Sequence, residues 1–210
     1  GWQGNQEFRG YDFYFNYCRR LLLYGIILLY FSMIEIKEVF KSFGEHKVLD
    51  NVSLTINTGE TKVIIGRSGC GKSVLLKHIV GILKPDKGNI FIDSRDITQL
   101  NDREMKPILM KIGMVFQGGA LFDSLTVGEN VGFGLIEHFK FSTKEVLMRV
   151  EEVLSMVELC GIGNLMPSEL SGGMKKRVAI ARVLCIKPEV ILYDEPTTGV
   201  DPITEDAINE

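Results

Sequence analysis

The stretch Gly66-Arg67-Ser68-Gly69-Cys70-Gly71-Lys72-Ser73 has the spacing G-x-x-x-x-G-K-[ST], and its surroundings decide how it folds. Before it stands a short β-branched run, Thr61 to Ile65, of the kind buried in a parallel sheet. After it, Val74 to Leu83 carries apolar residues at helical spacing until Lys84-Pro85 stops the pattern. Strand, glycine-rich turn and helix in that order make a phosphate-binding loop. Glycines let successive backbone N–H groups face phosphate oxygens, and the helix N-terminus adds its positive end. Lys72 is expected to reach the β- and γ-phosphates of a nucleotide, and Ser73 to offer its hydroxyl to Mg²⁺.

The rest of the 210-residue chain agrees with one large α/β domain. Apolar residues make up 45% and charged residues 24%, with 22 Gly and 6 Pro, which excludes disordered and collagen-like chains. A net charge of -3 supplies no basic field for nucleic acid, so no nucleic-acid partner is expected. Cys18, Cys70, Cys160 and Cys185 form no C-x-x-C pair and have no His at metal-ligand spacing, which argues against a zinc site or a disulfide framework and for a reducing cytosol. The longest apolar run, Leu21 to Phe31, is shorter than the roughly 18 to 20 residues that span a bilayer.

Residues 1–32 differ from the remainder. They hold 10 of the 19 aromatic residues, and the composition breaks near Met33. Arg19-Arg20 before Leu21 to Phe31 imitates a secretory signal or a short anchor, without a small-residue cleavage site. The reading adopted is that residues 1–32 are upstream sequence outside the domain and that the domain runs from 33 to 210.

From Met33 the chain reads as strand, turn at Phe43-Gly44, and strand to Ile56, an antiparallel edge sheet. Alternation returns over 88–100, and Ile112 to Phe116 forms another strand ending at Gln117. The region of about 120–185 is helical, with a strong amphipathic pattern from Lys144 to Leu159 and a helix over 174–185 after Ser171-Gly172-Gly173. Val190 to Tyr193 is a buried strand ending in Asp194-Glu195-Pro196. A carboxylate at the tip of such a strand can hold Mg²⁺ beside the phosphate loop, and Glu195 would face the attacking water.

Phosphate loop, Gln117 after a strand, Leu170-Ser171-Gly172-Gly173, four apolar residues before Asp194-Glu195-Pro196, and Gly199-Val200-Asp201 occur in this order. The chain resembles the ATP-binding-cassette (ABC) ATPases over everything from Met33 to Glu210. The resemblance implies a P-loop NTPase fold of ABC type, a mixed sheet with an antiparallel N-terminal subdomain and an inserted helical subdomain at about 120–185. It implies ATP and Mg²⁺ as cofactors. Phe43 resembles the aromatic that stacks on adenine; an ordinary edge-strand core aromatic is the alternative. Gln117 resembles the glutamine that touches Mg²⁺ and senses the transmembrane partner, with a plain strand-end polar residue as the alternative. Ser171, Gly172 and Gly173 look like the signature that contacts the γ-phosphate held by the opposite subunit, which requires a head-to-tail two-fold dimer. Asp201 resembles the aspartate of the loop that crosses the dimer seam.

Ser73, Gln117 and Asp194 are thus the expected metal group, and Glu195, Lys72 and Gln117 the expected catalytic group. In the family a histidine that orients the γ-phosphate follows beyond Asp201. None of His46, His78 or His138 lies where it could replace that group, so a C-terminally incomplete ATPase that binds ATP and turns over poorly is expected. The flanks Phe116-Gln117-Gly118-Gly119-Ala120-Leu121-Phe122, Leu165 through Met174 and Asp201-Pro202-Ile203-Thr204 look like the ATPase subunit of Mla-type phospholipid transporters, which work with MCE lipid-binding proteins. An integral membrane permease as partner and a peripheral place on the cytoplasmic face of the inner membrane follow from that resemblance. A non-transport or non-hydrolysing ABC-type ATP clamp is the alternative.

Overall fold

In the computed structural model, residues 29–30, 33–139 and 141–194 are described. In chain order the elements are β1 (Leu29–Tyr30), β2 (Ile34–Phe43), β3 (His46–Ile56), α1 (Lys72–Ile79), β4 (Lys87–Ile92), β5 (Arg95–Asp96), α2 (Asp102–Leu109), β6 (Ile112–Val115), α3 (Val127–His138), α4 (Thr143–Met156), α5 (Gly172–Cys185) and β7 (Val190–Tyr193). They form an antiparallel sheet ordered β3-β2-β4-β5 and a mixed sheet ordered β1-β7-β6, in which β6 and β7 are parallel. The antiparallel N-terminal sheet and the helical region expected from the sequence are both present.

Local chemistry explains where the helices start. Asn101 with Glu104, Thr126 with Glu129, and Ser142 with Glu145 each close a capping box at the first turn of α2, α3 and α4. Each box satisfies backbone N–H groups that have no partner inside the helix. α2, which contains Pro107 and spans only eight residues, was not anticipated.

β7 divides the interior. All four of its residues are buried, and because successive side chains point to opposite faces, the strand serves two cores. Val190 and Leu192 join Ile34, Ile36, Leu76 and Ile79 between the antiparallel sheet and α1. Ile191 and Tyr193 join Val131, Val150, Leu154 and Val178 of the helical region.

One expectation meets a different structure. Residues 61–65 form no strand, and Val63 and Ile65 are 38% and 90% exposed, whereas a strand buried in a parallel sheet was expected. The physical reason lies at the edge of β7: β6 fills one side, and Leu29 and Tyr30 pair antiparallel with Ile191 and Val190 on the other. That pairing takes up the Val190–Ile191 half of the edge, and of the apolar residues in 61–65 only Ile64 packs on the core. The same pairing shows that the composition break at Met33 is not where the chain first joins a sheet. Among the described residues no helix is long and apolar enough to cross a membrane.

This distribution of burial makes a contrast that unfolding can read. Leu192→Ala, at a position with 0% exposure, should cost about 2–5 kcal/mol through the cavity it leaves. Ile65→Ser should stay within about 0.5 kcal/mol. Denaturant titration of both variants checks the pair, and a loss above ~2 kcal/mol for Ile65→Ser would place residues 61–65 in a core.

A second prediction concerns His78, which is 1% exposed on α1 with Nδ1 2.7 Å from the Val74 carbonyl oxygen. Burial pushes its pKa below the ordinary 6.5; nearby Lys41 acts in the same sense, while the Val74 carbonyl and Asp86 oppose it. The folded chain therefore binds a proton less readily than the unfolded chain. Stability from this group is complete above pH 6.5 and falls as pH is lowered through that value toward the depressed folded pKa. The unfolding midpoint should decline between pH 7 and pH 5, and His78→Gln should flatten that decline.

Candidate functional site

The phosphate loop is built by the turn ahead of α1. Gly71 caps the helix at φ 98°, a left-handed conformation that favours glycine. A Cβ there would stand 2.9 Å from Val48 Cγ1 and 3.1 Å from the Val48 carbonyl oxygen, so the close approach of the loop to β3 also needs a residue without a side chain. The Cys70 N–H donates to the Arg67 carbonyl at 3.2 Å and tightens the turn. Lys72 folds back over it, its Nζ donating to the carbonyls of Gly66 at 2.9 Å and Arg67 at 3.0 Å. Ser68 and Gly69 lie exposed on the loop.

The loop and β7 meet through one polar contact. Ser73 Oγ donates to Asp194 Oδ1 at 2.6 Å across 121 positions of sequence. A hydroxyl and a carboxylate so placed are an all-oxygen donor pair, which suits Mg²⁺, a hard cation that keeps several waters and takes one or two protein oxygens. Ser73 and Asp194 are thus brought together, with Lys72 beside Ser73 in the chain and its ammonium on the loop carbonyls. Glu195 and Asp201 lie outside the described residues.

Gln117 is exposed and opens a turn in which Gly119 N–H donates to the Phe116 carbonyl at 3.0 Å. Gly118, Gly119 and Ala120 follow with φ 76°, 83° and 44°. Ser171 caps α5, its Oγ accepting from the Met174 N–H at 3.3 Å. Gly172 and Gly173 begin the helix in open space, with nothing within 4 Å of where a Cβ would stand. No described hydrogen bond joins Ser171, Gly172 or Gly173 to the phosphate loop of the same chain. Phe43 ends β2 with 48% of its surface exposed and Lys41 Nζ 5.6 Å from its ring centre, so it is not a core aromatic.

Sequence reading missed Arg182, which holds the Gln117 turn. Its Nη1 and Nη2 donate to the carbonyls of Ala120 and Gly119, both at 2.8 Å. Nothing in the spacing of a helical arginine points to carbonyls 62 and 63 positions away. Asn130, 0% exposed, was missed for the same reason; its side chain accepts from Phe122 N–H and donates to the carbonyls of Phe122, Leu125 and Thr126. Beside this turn runs an apolar groove of about 580 Å³ lined by Leu109, Phe116, Phe122, Phe133, Phe139 and Ile186.

Comparison with known proteins gives this arrangement its relatives. Residues 49–198 match the family model described as ABC transporter. Protein TRIGALACTOSYLDIACYLGLYCEROL 3, chloroplastic, of Arabidopsis thaliana is 48% identical over 186 residues, 85% of this chain and 53% of that protein. The probable ribonucleotide transport ATP-binding protein mkl of Mycobacterium tuberculosis is 44% identical over 170 residues, 81% of this chain and 47% of that protein. The intermembrane phospholipid transport system ATP-binding protein MlaF of Haemophilus influenzae is 41% identical over 173 residues, 82% of this chain and 66% of that protein. The chain thus spans about half the length of the first two. A solved ATP-binding cassette, described as a dimer in a post-hydrolysis state bound to ADP and Pi, has a TM-score of 0.74 and 40% identity, covering 83% of this chain and 79% of that one. With most of its length inside the family match and the phosphate loop, Asp194 and the α5 cap in place, the chain belongs to the ABC transporter family of ATP-binding domains.

Proposed function

We propose that this chain is the ATP-binding and ATP-hydrolysing subunit of an ABC transporter and that it powers phospholipid transport between membranes. The observation that carries the ATP site is the Ser73–Asp194 hydrogen bond, which joins the phosphate loop to the tip of β7. Mg²⁺ held there would neutralise charge on the phosphate oxygens. Ser73, Asp194 and Gln117 would hold the metal. Lys72 swings its ammonium from the Gly66 and Arg67 carbonyls onto the β- and γ-phosphates, and loop N–H groups from Gly66 to Ser73 orient them. Phe43 offers its exposed face to adenine. Glu195 accepts the proton of the attacking water.

Ser171, Gly172 and Gly173 stand open at the N-terminus of α5, which suits a γ-phosphate presented by a second copy in a head-to-tail dimer, with Asp201 at the seam. The groove beside Gln117 suits an apolar element of an integral membrane permease, which would hold the chain peripherally on the cytoplasmic face of the inner membrane. The lipid assignment rests on the flanks of Gln117 and of the signature and on the relative named for phospholipid transport, with an MCE-type lipid-binding protein as a further partner. A relative named for ribonucleotide transport is similarly identical, so cargo has to be read from transport itself.

Lys72→Ala should weaken Mg-ATP binding by about tenfold or more, because it removes a point charge from the phosphates. Calorimetric titration checks this, and equal affinity of variant and parent would overturn the site. In the dimer assembled on its permease, Glu195→Gln should bind ATP as the parent does and release no phosphate, since an amide keeps the shape and cannot accept the proton. Phosphate release with undiminished rate in that variant would remove Glu195 from the chemistry. Movement of labelled phospholipid from proteoliposomes to acceptor vesicles, dependent on ATP, tests the cargo.

A further inference from the structure

The Gln117 turn is held by a helix that also carries the signature. Three successive residues, Gly118, Gly119 and Ala120, have positive φ; the two glycines reach it freely, while Ala120 at φ 44° holds a conformation that a residue with a side chain rarely takes without support. The support comes from one face of α5. A Cβ on Gly119 would stand 3.2 Å from the Lys175 carbonyl oxygen and 3.3 Å from Ala179 Cβ, so the turn lies directly on the helix. One turn further along that face, the Arg182 guanidinium donates to the Gly119 and Ala120 carbonyls together. Its Cζ lies 5.9 Å from the Phe122 ring centre, and Phe122 packs on Phe133 at 4.9 Å. A planar fork with two donors 2.8 Å from two adjacent carbonyls fixes both the position and the tilt of the peptide between them.

We infer that Arg182 is the positioning residue for Gln117, and that through it the helix begun by Ser171-Gly172-Gly173 sets where the Gln117 side chain stands relative to Asp194. Lys175, Ala179 and Arg182 form one stripe at positions i, i+4 and i+7 of α5, so the turn and the signature end ride on one rigid rod. Displacement of the signature by a partner copy then carries the Gln117 turn with it. The tether itself stands on geometry alone; its consequence for Mg²⁺ rests on the reading of Gln117 given above.

The test uses the full chain with Arg182→Lys, which keeps the charge and replaces the rigid two-nitrogen fork with one ammonium on a flexible stem, and Gly119→Ala, which lifts the turn off α5 from the other side. Circular dichroism confirms that each is folded. Hydrogen exchange reads the tether directly: the Gly119 amide, bonded to the Phe116 carbonyl in the parent, should exchange about tenfold faster in both variants. Unchanged exchange in both would overturn the proposal. Binding of Mg-ATP and of metal-free ATP to Arg182→Lys, Gln117→Ala and the double variant reads the consequence. Loss of the magnesium-dependent part of affinity to a similar extent in each single variant, with no further loss in the double, supports positioning. Additive losses, or an effect of Gln117→Ala with none of Arg182→Lys, would overturn it. Faster exchange with no effect of Gln117→Ala would leave the tether standing and would remove Gln117 from the metal site.

Discussion

β7 is buried on both faces, and both interiors are assembled against it. A four-residue strand in that position can contain no polar side chain without a partner, so the first place where chemistry can stand is its tip, at Asp194. There the carboxylate meets the Ser73 hydroxyl at 2.6 Å. That hydrogen bond, together with Leu75, Leu76 and Ile79 packed against Val190 and Leu192, ties the phosphate loop to the strand, although residues 61–65 enter no ladder. The site is therefore held by the helix that follows the loop more than by the segment that precedes it.

How much of this was legible in the sequence depends on whether the signal was local. The β2–β3 hairpin, β6, α4, α5 and β7 carry periodicity and turn residues within their own length, and they fold where those patterns put them. The loop, the carboxylate that meets it at Asp194 and the α5 cap lie in motifs of fixed spacing and were legible for the same reason. Residues 61–65 have strand character too, but β-propensity expresses the fit to a neighbour, and Leu29–Tyr30 takes the Val190–Ile191 half of the neighbouring edge. Composition set residues 1–32 apart, yet strand pairing uses backbone groups that composition does not report. α2 is short and contains Pro107; the Asn101 and Glu104 pair that starts it was its available signal.

The polar anchors of the Gln117 region were illegible because each joins distant parts of the chain through main-chain carbonyls, which every residue has. Asn130 satisfies its amide donors and its acceptor within the turn leading into α3, while Arg182 takes the two carbonyls just before that turn. A buried side-chain amide with one bond unmade costs about 1–3 kcal/mol, so Asn130 specifies the path of this segment strongly. Between them the two side chains leave little freedom from Gly119 to Thr126, and the exposed Gln117 projects from a support that is fixed on its C-terminal side.

That asymmetry has a functional sense under the proposed reading. Phe116 lines the groove and Gln117 follows it by one peptide, so an apolar element seated in the groove bears on the glutamine from its N-terminal side. α5 bears on it from the C-terminal side through Arg182, and the far end of α5 is the open cap at Ser171-Gly172-Gly173. The glutamine thus lies between a permease-facing surface and a dimer-facing one, with the Ser73–Asp194 pair as the place where both are read. Under the same reading neither surface would meet cargo, in keeping with the similar identity of this chain to relatives named for phospholipid and for ribonucleotide transport. Under the proposed reading, specificity for lipid would be supplied by the protein that fills the groove, and this chain would contribute the coupling that makes its occupancy felt at the nucleotide.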